Sequence, residues 1–268
     1  MANRGLVPKL YAIIIAALLL LTGHPASSDT LANGGSGRVV EIVDGDTLIL
    51  EDGREVRLVG IQAPKLPLGR RNFKTWPLAD TAKSALTTLA LYKTVTLSYG
   101  GRRVDRHNRL LAHLHDEKGV WIQGELLRSG MARVYSFQDN RAQIAEMLAM
   151  ERKARAARRG IWRHRFYQIR DADTAHRHIG GFHLVEGQVR AVAARRKYTY
   201  LNFSDNWRTD FTIAVAARVR RLFKDAGLDL EALQGKTVRV RGWIKSRNGP
   251  LIDATHPEQI EILPDPTR

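Results

Sequence analysis

Residues 39–64 read VVEIVDGDTLILEDGREVRLVGIQAP. Val39, Ile42 and Val43 lead into a tight turn at Asp44-Gly45-Asp46-Thr47. Leu48, Ile49 and Leu50 follow, and a second turn falls at Glu51-Asp52-Gly53. Val56 to Ile61 forms the return strand, which Ala63-Pro64 breaks. Asp-Gly pairs favour hairpin turns because glycine tolerates positive φ. Turn chemistry does not require a second carboxylate at Asp46. Two acids two residues apart on a strand edge can face one hard cation or one set of polar partners.

Downstream, Lys65–Pro77 is a basic loop and Leu78–Leu91 has helical spacing through Ala82, Leu86 and Leu89. Thr94–Tyr99 alternates as a strand, Gly100-Gly101 turns into the basic segment Arg102–Arg109, and Leu110–Leu114 is a further strand. Trp121–Arg128 reads as a short helix stopped by Gly130. Asn140–Arg158 is a longer one, with Ile144, Met147 and Leu148 on one stripe. The basic residues at its end suit a helix C-terminus.

These motifs, in this order, carry a resemblance. D-G-D-T at Asp44–Thr47, R-L-x-G-I-x-A-P at Arg57–Pro64, D-R-H-N-R at Asp105–Arg109, G-x-A-R-V-Y at Gly130–Tyr135 and G-I-W at Gly160–Trp162 are similar to staphylococcal-type thermonuclease. The likeness runs from about Gly37 to Trp162. It implies a mainly β fold with helices (α+β), built on a five-stranded OB-type barrel with three helices.

The resemblance also implies phosphodiester cleavage with Ca²⁺. Asp46 matches the first metal carboxylate, Asp44 a nearby acid, and Ala63 can offer a backbone carbonyl. Arg57 and Arg109 match the two phosphate-binding arginines, counted as the catalytic pair. A pentacoordinate phosphoryl group gathers charge on its oxygens, and planar guanidinium forks stabilise it. Lys65, Arg106 and His107 are further candidates for phosphate or nucleic-acid contact. Two positions depart from the pattern: Gln62 stands at the second metal Asp and Lys65 at the proposed base Glu. Ca²⁺ prefers six to eight largely charged oxygens, so both changes weaken the metal site. Lys65 instead suits a role as a built-in cation beside Asp46. His113 and His115 share a strand face without a third zinc ligand in view. Tyr135 and Phe137 fit either base stacking or core.

The 268-residue chain carries a net charge of +16, which points to an acidic partner such as nucleic acid, an anionic surface or an envelope polymer. It has no cysteine, which excludes a disulfide framework and thiolate metal sites. Residues 1–28 read as a signal peptide: Arg4 and Lys9 precede the apolar run Leu10–Leu21, and Ala26-Ser27-Ser28 offers a cleavage site. Twelve helical residues span about 18 Å, short of a bilayer core. Export to the periplasm or medium is therefore expected over an N-terminal anchor, with no stable membrane insertion after cleavage. Residues 29–37 read as a linker and 38–165 as the thermonuclease-like domain.

Residues 166–180 read as a second linker and 181–264 as a smaller OB-like barrel, from strand signals at Phe182–Ala193, Tyr198–Phe203, Phe211–Ala216, Lys236–Lys245 and Ile260–Leu263, with a helix at Arg218–Ala226. Arg195, Arg196, Lys197 and Tyr198 interleave charge with an aromatic ring, the pattern of a single-strand-binding groove. Tyr200, Phe203, Trp207 and Phe211 fit such a groove and a barrel core equally well. Gly242-Trp243 with Lys245, Arg247 and Asn248 is a second candidate edge. The reading is an exported nucleic-acid-binding protein, for DNA or RNA and single strands first. The alternative is a catalytically inactive tandem OB module or an envelope scaffold.

Overall fold

The computed structural model describes residues 31–206 and 209–264. The expected signal peptide and Trp207 lie outside the described residues. In chain order the elements are β1 (Ala32–Asp44), β2 (Thr47–Leu50), β3 (Glu55–Leu58), β4 (Ile61–Gln62), α1 (Ala79–Ala90), β5 (Thr94–Tyr99), β6 (Leu110–Asp116), α2 (Ile122–Arg128), β7 (Arg133–Val134) and α3 (Ile144–Ala156). They continue with β8 (Arg170–Asp171), β9 (Phe182–Gln188), β10 (Ala191–Ala194), β11 (Tyr198–Asn202), β12 (Thr212–Ala216), α4 (Arg220–Asp225), β13 (Thr237–Trp243), β14 (Lys245–Ser246), β15 (Pro250–Ala254) and β16 (Ile260–Ile262).

The first barrel closes in the order β1-β2-β3-β6-β5, as a mainly β fold carrying helices. All neighbours are antiparallel except β3 and β6. Alternation fills the interior: Val95, Leu97 and Tyr99 point inward from β5 and meet Leu48, Leu50, Val56 and Leu58. Leu86 of α1, Leu126 of α2 and Met147 of α3 complete this core. Gly45 is required for a reason other than positive φ. A Cβ there would meet Ala63 Cβ at 2.7 Å and Ala82 Cβ at 2.8 Å, so glycine lets α1 approach the carboxylate turn.

The segment expected as a linker over 29–37 departs from that reading. From Ala32 onward it is the first half of β1, paired with β5 from Ala32↔Tyr99 to Arg38↔Thr94. Two of its glycines serve packing: a Cβ on Gly34 would lie 2.5 Å from the Tyr99 ring and one on Gly37 2.8 Å from Leu50. Register shifts along β1 let one long strand bend between β5 and β2.

The second unit repeats the same plan with broken strands. β10-β11-β12-β15-β14 forms one sheet and β16-β13-β9-β8 another. β9 runs into β10, and β13 into β14, across short bends. Each pair acts as one bent strand, and the β13–β9 ladder brings the ring back to its start. The parallel pair is β12 with β15, in the place that β3 and β6 hold in the first barrel. Leu201, Phe203, Phe211, Ile213, Val238 and Val240 fill its core. The expected linker 166–180 is also part of the structure. β8 pairs with β9, Ala172 and Ala175 are buried in the second core, and Tyr167 donates its hydroxyl to Pro77 O at 2.7 Å.

A charged seam joins the two barrels. Arg241 of β13 alternates outward, away from its own core, and is 1% exposed because α3 covers it. It pairs with Glu151 of α3 at 3.0 Å and Glu261 of β16 at 2.7 Å. Glu151 also accepts the Val134 N–H at 2.6 Å and pairs with Arg155 at 2.9 Å. Ser136 meets His256 at 2.7 Å and Arg141 meets Glu258 at 2.7 Å.

Candidate functional site

The β1–β2 turn builds the acidic end of the site. Asp44 Oδ1 accepts the Asp46 N–H at 3.0 Å, which fixes the turn and aims both carboxylates the same way. Asp46 is fully buried and Asp44 nearly so. Ala63, at the end of β4, donates its N–H to Asp46 Oδ2 at 2.7 Å. The carbonyl expected of Ala63 as a metal ligand is thus not the group it turns to the carboxylate.

Lys65 reaches across from the following loop. Its Nζ lies 2.6 and 2.8 Å from the two Asp46 oxygens and 3.1 Å from Asp44 Oδ2. An ammonium has three protons, and here all three have acceptors. Lys65 therefore sits where a cation between the carboxylates would be. It faces the acids.

Arg57 leaves β3 on the same side. It donates to Leu58 O and Ile61 O, each at 2.6 Å, and its Nη2 lies 3.3 Å from Asp46 Oδ2. Burial pushes the Asp46 carboxyl up, but the charges of Arg57 and Lys65 outweigh it and hold the group well below the ordinary carboxylate range. Asp44 moves the other way: burial and the neighbouring Asp46 charge raise it, against the pull of Lys65.

Arg109 arrives from a different turn. Asp105 Oδ1 accepts the N–H groups of His107 and Arg109 at 2.8 and 3.0 Å, while its Oδ2 takes Arg109 Nε and Nη2 at 2.9 and 2.7 Å. One carboxylate thus shapes the D-R-H-N-R turn and orients its last side chain. Burial raises the Asp105 carboxyl, and these bonds more than reverse that.

The two arginines line one cavity of about 410 Å³. Arg102, Arg106 and His107 stand on its basic rim, and Tyr135 and Phe137 form its aromatic wall. Phe137 is 50% exposed and meets Tyr135 edge-on at 4.9 Å, which places this pair at the cleft mouth instead of in the core. Arg106 donates to His107 Nε2 at 3.0 Å. The expected pairing of Arg57 with Arg109 is therefore spatial, as are the positions of Arg106 and His107.

Gln62 takes no part in the acidic end. Its Oε1 accepts Arg133 Nε and Nη2 at 3.0 and 2.7 Å. Arg133 is buried, packs over Phe182 at 4.7 Å, and burial lowers its pKa to about 10. Taken together, these residues do not fit Ca²⁺. An ammonium spans the two carboxylates, the oxygen at 62 is committed to a guanidinium, and an N–H faces Asp46 from Ala63. Among the described residues, no group of three or more His, Asp or Glu side chains is placed to hold a metal. His113 and His115 lie against Trp121, His113 tilted at 5.7 Å and His115 stacked at 6.4 Å.

Arg195, Arg196 and Lys197 are exposed at the β10–β11 turn, away from this cleft, with Tyr198 partly exposed at the start of β11. Sequence reasoning missed Asp105 as the group that positions Arg109 and Arg133 as the partner of Gln62. The four-residue spacing within D-R-H-N-R carries the first signal. Nothing local carries the second, since 71 positions separate Gln62 from Arg133.

Comparisons with known proteins bear on the first domain. The description "Staphylococcal nuclease homologue" fits residues 55–164. An uncharacterised endonuclease of Escherichia coli is 36% identical over 129 residues, covering 47% of this chain and 76% of that protein. Protein ParB of Escherichia coli is 31% identical over 172 residues, 57% of this chain and 85% of the relative. The thermonuclease of Staphylococcus hyicus is 25% identical over 164 residues, 59% of this chain and 95% of the relative. The match spans the barrel from β3 to α3 and brings both cleft arginines with it, so the chain belongs to the staphylococcal nuclease homologue family.

Proposed function

We propose that this protein binds nucleic-acid phosphates in the cleft between Arg57 and Arg109, and that Lys65 replaces the divalent cation at its acidic end. The observation that carries the reading is the Lys65 ammonium seated 2.6–3.1 Å from the oxygens of Asp44 and Asp46. The relatives named endonuclease and thermonuclease support a nucleic-acid hydrolase class for the domain. This chain keeps the phosphate-facing arginines of that class. Its acidic end is altered: hydrolysis needs a group that accepts a proton from the attacking water, and an ammonium donating three hydrogen bonds has no lone pair to offer. Ca²⁺-dependent cleavage is therefore absent or very slow, while binding is retained. Export and a preference for single strands belong to the same proposal. They rest on the short apolar run at the N-terminus and on the open aromatic wall of Tyr135 and Phe137.

The test is an assay of purified protein on labelled single and double strands with Ca²⁺, with other divalent ions and with chelator, alongside equilibrium binding. Tight, salt-sensitive binding without Ca²⁺-stimulated cleavage is expected. Fast Ca²⁺-dependent cleavage overturns the reading of Lys65.

A further inference from the structure

The second barrel carries a cavity that the nuclease cleft does not use. It measures about 410 Å³ and opens on the outer face of the β10-β11-β12-β15-β14 sheet. Alternation along β11 decides what stands there: Thr199 and Leu201 point into the core, leaving Tyr198, Tyr200 and Asn202 outside. The strand register puts Ala193 and Ala214 opposite Tyr200, and Ala216 opposite Tyr198. Alanines on both sides leave the tyrosine rings standing above a low floor. The two rings stack at 5.7 Å with their planes 25° apart.

Charge frames this face. Arg195 and Arg247 line the cavity with Tyr200, Asn202 and Asn248. The Arg247 guanidinium sits 5.0 Å over the Tyr198 ring. Arg196 and Lys197 extend the basic edge along the β10–β11 turn. Arg220 donates to Arg195 O and braces that turn. Asp253 is the acidic neighbour, already met by Lys245 at 2.8 Å and Arg247 at 3.7 Å.

We propose that this face is a second nucleic-acid site, taking single-stranded nucleic acid with a base stacked on the Tyr198–Tyr200 pair and its flanking phosphates on Arg195, Arg196, Lys197 and Arg247. A flat ring on an aromatic pair, held by an anionic backbone on either side, is the ligand that this mixture of groups suits. A polyanion without bases would use the arginines and leave the tyrosines idle. The site stands apart from the Arg57/Arg109 cleft and does not require that cleft to be active.

The experiment measures binding of a fluorescent twelve-nucleotide single strand, and of the same strand with abasic sites, to the full chain. Tyr198→Ala with Tyr200→Ala is expected to weaken the base-bearing strand by about 5- to 150-fold and to narrow its margin over the abasic one, the Tyr135/Phe137 wall of the first cleft accounting for what remains. Tyr198→Phe with Tyr200→Phe keeps the rings and the affinity, which separates stacking from folding. Arg195→Glu with Arg247→Glu lies on the surface and is expected to reduce the salt slope by about one per lost phosphate contact. Unchanged affinity in both the alanine and the glutamate pairs, or equal binding of abasic and base-bearing strands by the unmodified chain, overturns the proposal. Arg109→Ala reads the first cleft separately: loss there with no loss in the tyrosine variants sinks this site alone, and the reverse pattern sinks the cleft alone.

Discussion

Removing the Lys65 ammonium is the sharpest perturbation of the acidic end. In Lys65→Ala, Asp46 stays buried and keeps only Arg57 as a charged partner, 3.3 Å away. At about 3 Å and an effective dielectric near 20, one ammonium–carboxylate contact amounts to roughly 5 kcal/mol before desolvation. Breaking one side of a buried pair costs about 3–5 kcal/mol. The 18% exposure of the Lys65 side chain and the remaining Arg57 contact lower this to about 2–4 kcal/mol at neutral pH. For a protein of this length that is a fall of about 4–16 °C in Tm. The sign of the pH dependence follows from the Asp46 carboxyl, which is held below its ordinary value. Its stabilisation is present above the unfolded carboxylate range near 4 and fades as pH falls below that, so the gap between the two proteins should close in acid. The vacated position then becomes open to a metal. With a millimolar Kd, 10 mM Ca²⁺ should return about 1.4 kcal/mol to the variant, while the unmodified protein gains nothing. Thermal unfolding with Ca²⁺ and with chelator, at several pH values, measures all of this. A rise in Tm of the unmodified protein with Ca²⁺, or a variant as stable as its parent at pH 7, would refute the assignment of Lys65 as the resident cation.

Further outcomes follow from the same geometry. Gln62→Asp with Lys65→Glu should raise Ca²⁺ affinity and single-strand cleavage together, and adding Arg109→Ala should abolish the gain, as read by calcium titration and cleavage of a labelled strand. Arg241→Met removes the buried guanidinium between Glu151 and Glu261, which keep Arg155 at 2.9 and 3.5 Å, and should cost at most about 3–5 kcal/mol by denaturant unfolding, part of it recovered by Glu151→Gln. His113 and His256 are buried, and burial first of all lowers the pKa of each to about 4. Between pH 6.5 and 4 the unfolded chain therefore binds more protons, so stability should fall as pH falls through this window, by roughly 1.4 kcal/mol per unit for each histidine; His256→Gln should flatten the slope. A fragment of residues 29–179 keeps the closed ring but loses Arg241, so it should fold with reduced stability by circular dichroism and bind single strands more weakly.

The first barrel was legible because its signals are local. Two turns, a return strand and an arginine lie within the 26 residues from Val39 to Pro64, and the D-R-H-N-R turn brings its own orienting carboxylate. The glycines of 34–37 misled for a physical reason. Composition marks them as linker, but Gly34 and Gly37 are small because Tyr99 and Leu50 crowd them, and crowding from a distant strand leaves no trace in the local sequence; Gly35 instead takes a positive φ. Arg241 shows the same limit. Its outward position in an alternating strand reads as solvated, and only the approach of α3 buries it. In the second unit, sequence left Tyr200, Phe203 and Phe211 undivided between groove and core. The register of β11 divides them, with Phe203 and Phe211 inside and Tyr200 outside.

The acidic end makes sense once charges are counted by place. Asp44 and Asp46 bring two negative charges into a buried turn, and Lys65 and Arg57 bring two positive ones within 3.3 Å of them. This end of the site is already neutral, and a divalent ion would add charge that nothing opposes. Gln62 stays outside that balance, its oxygen held by the buried Arg133. The cleft beyond differs. Arg109 is matched by Asp105, but Arg102 and Arg106 lie on the rim of the cleft. Asp139 is the acid nearest Arg102, and the pair is long at 3.9 Å and exposed. Uncompensated positive charge is therefore concentrated at the phosphate-facing end. The site is thus divided, with a neutral, closed acidic end behind a basic, open mouth.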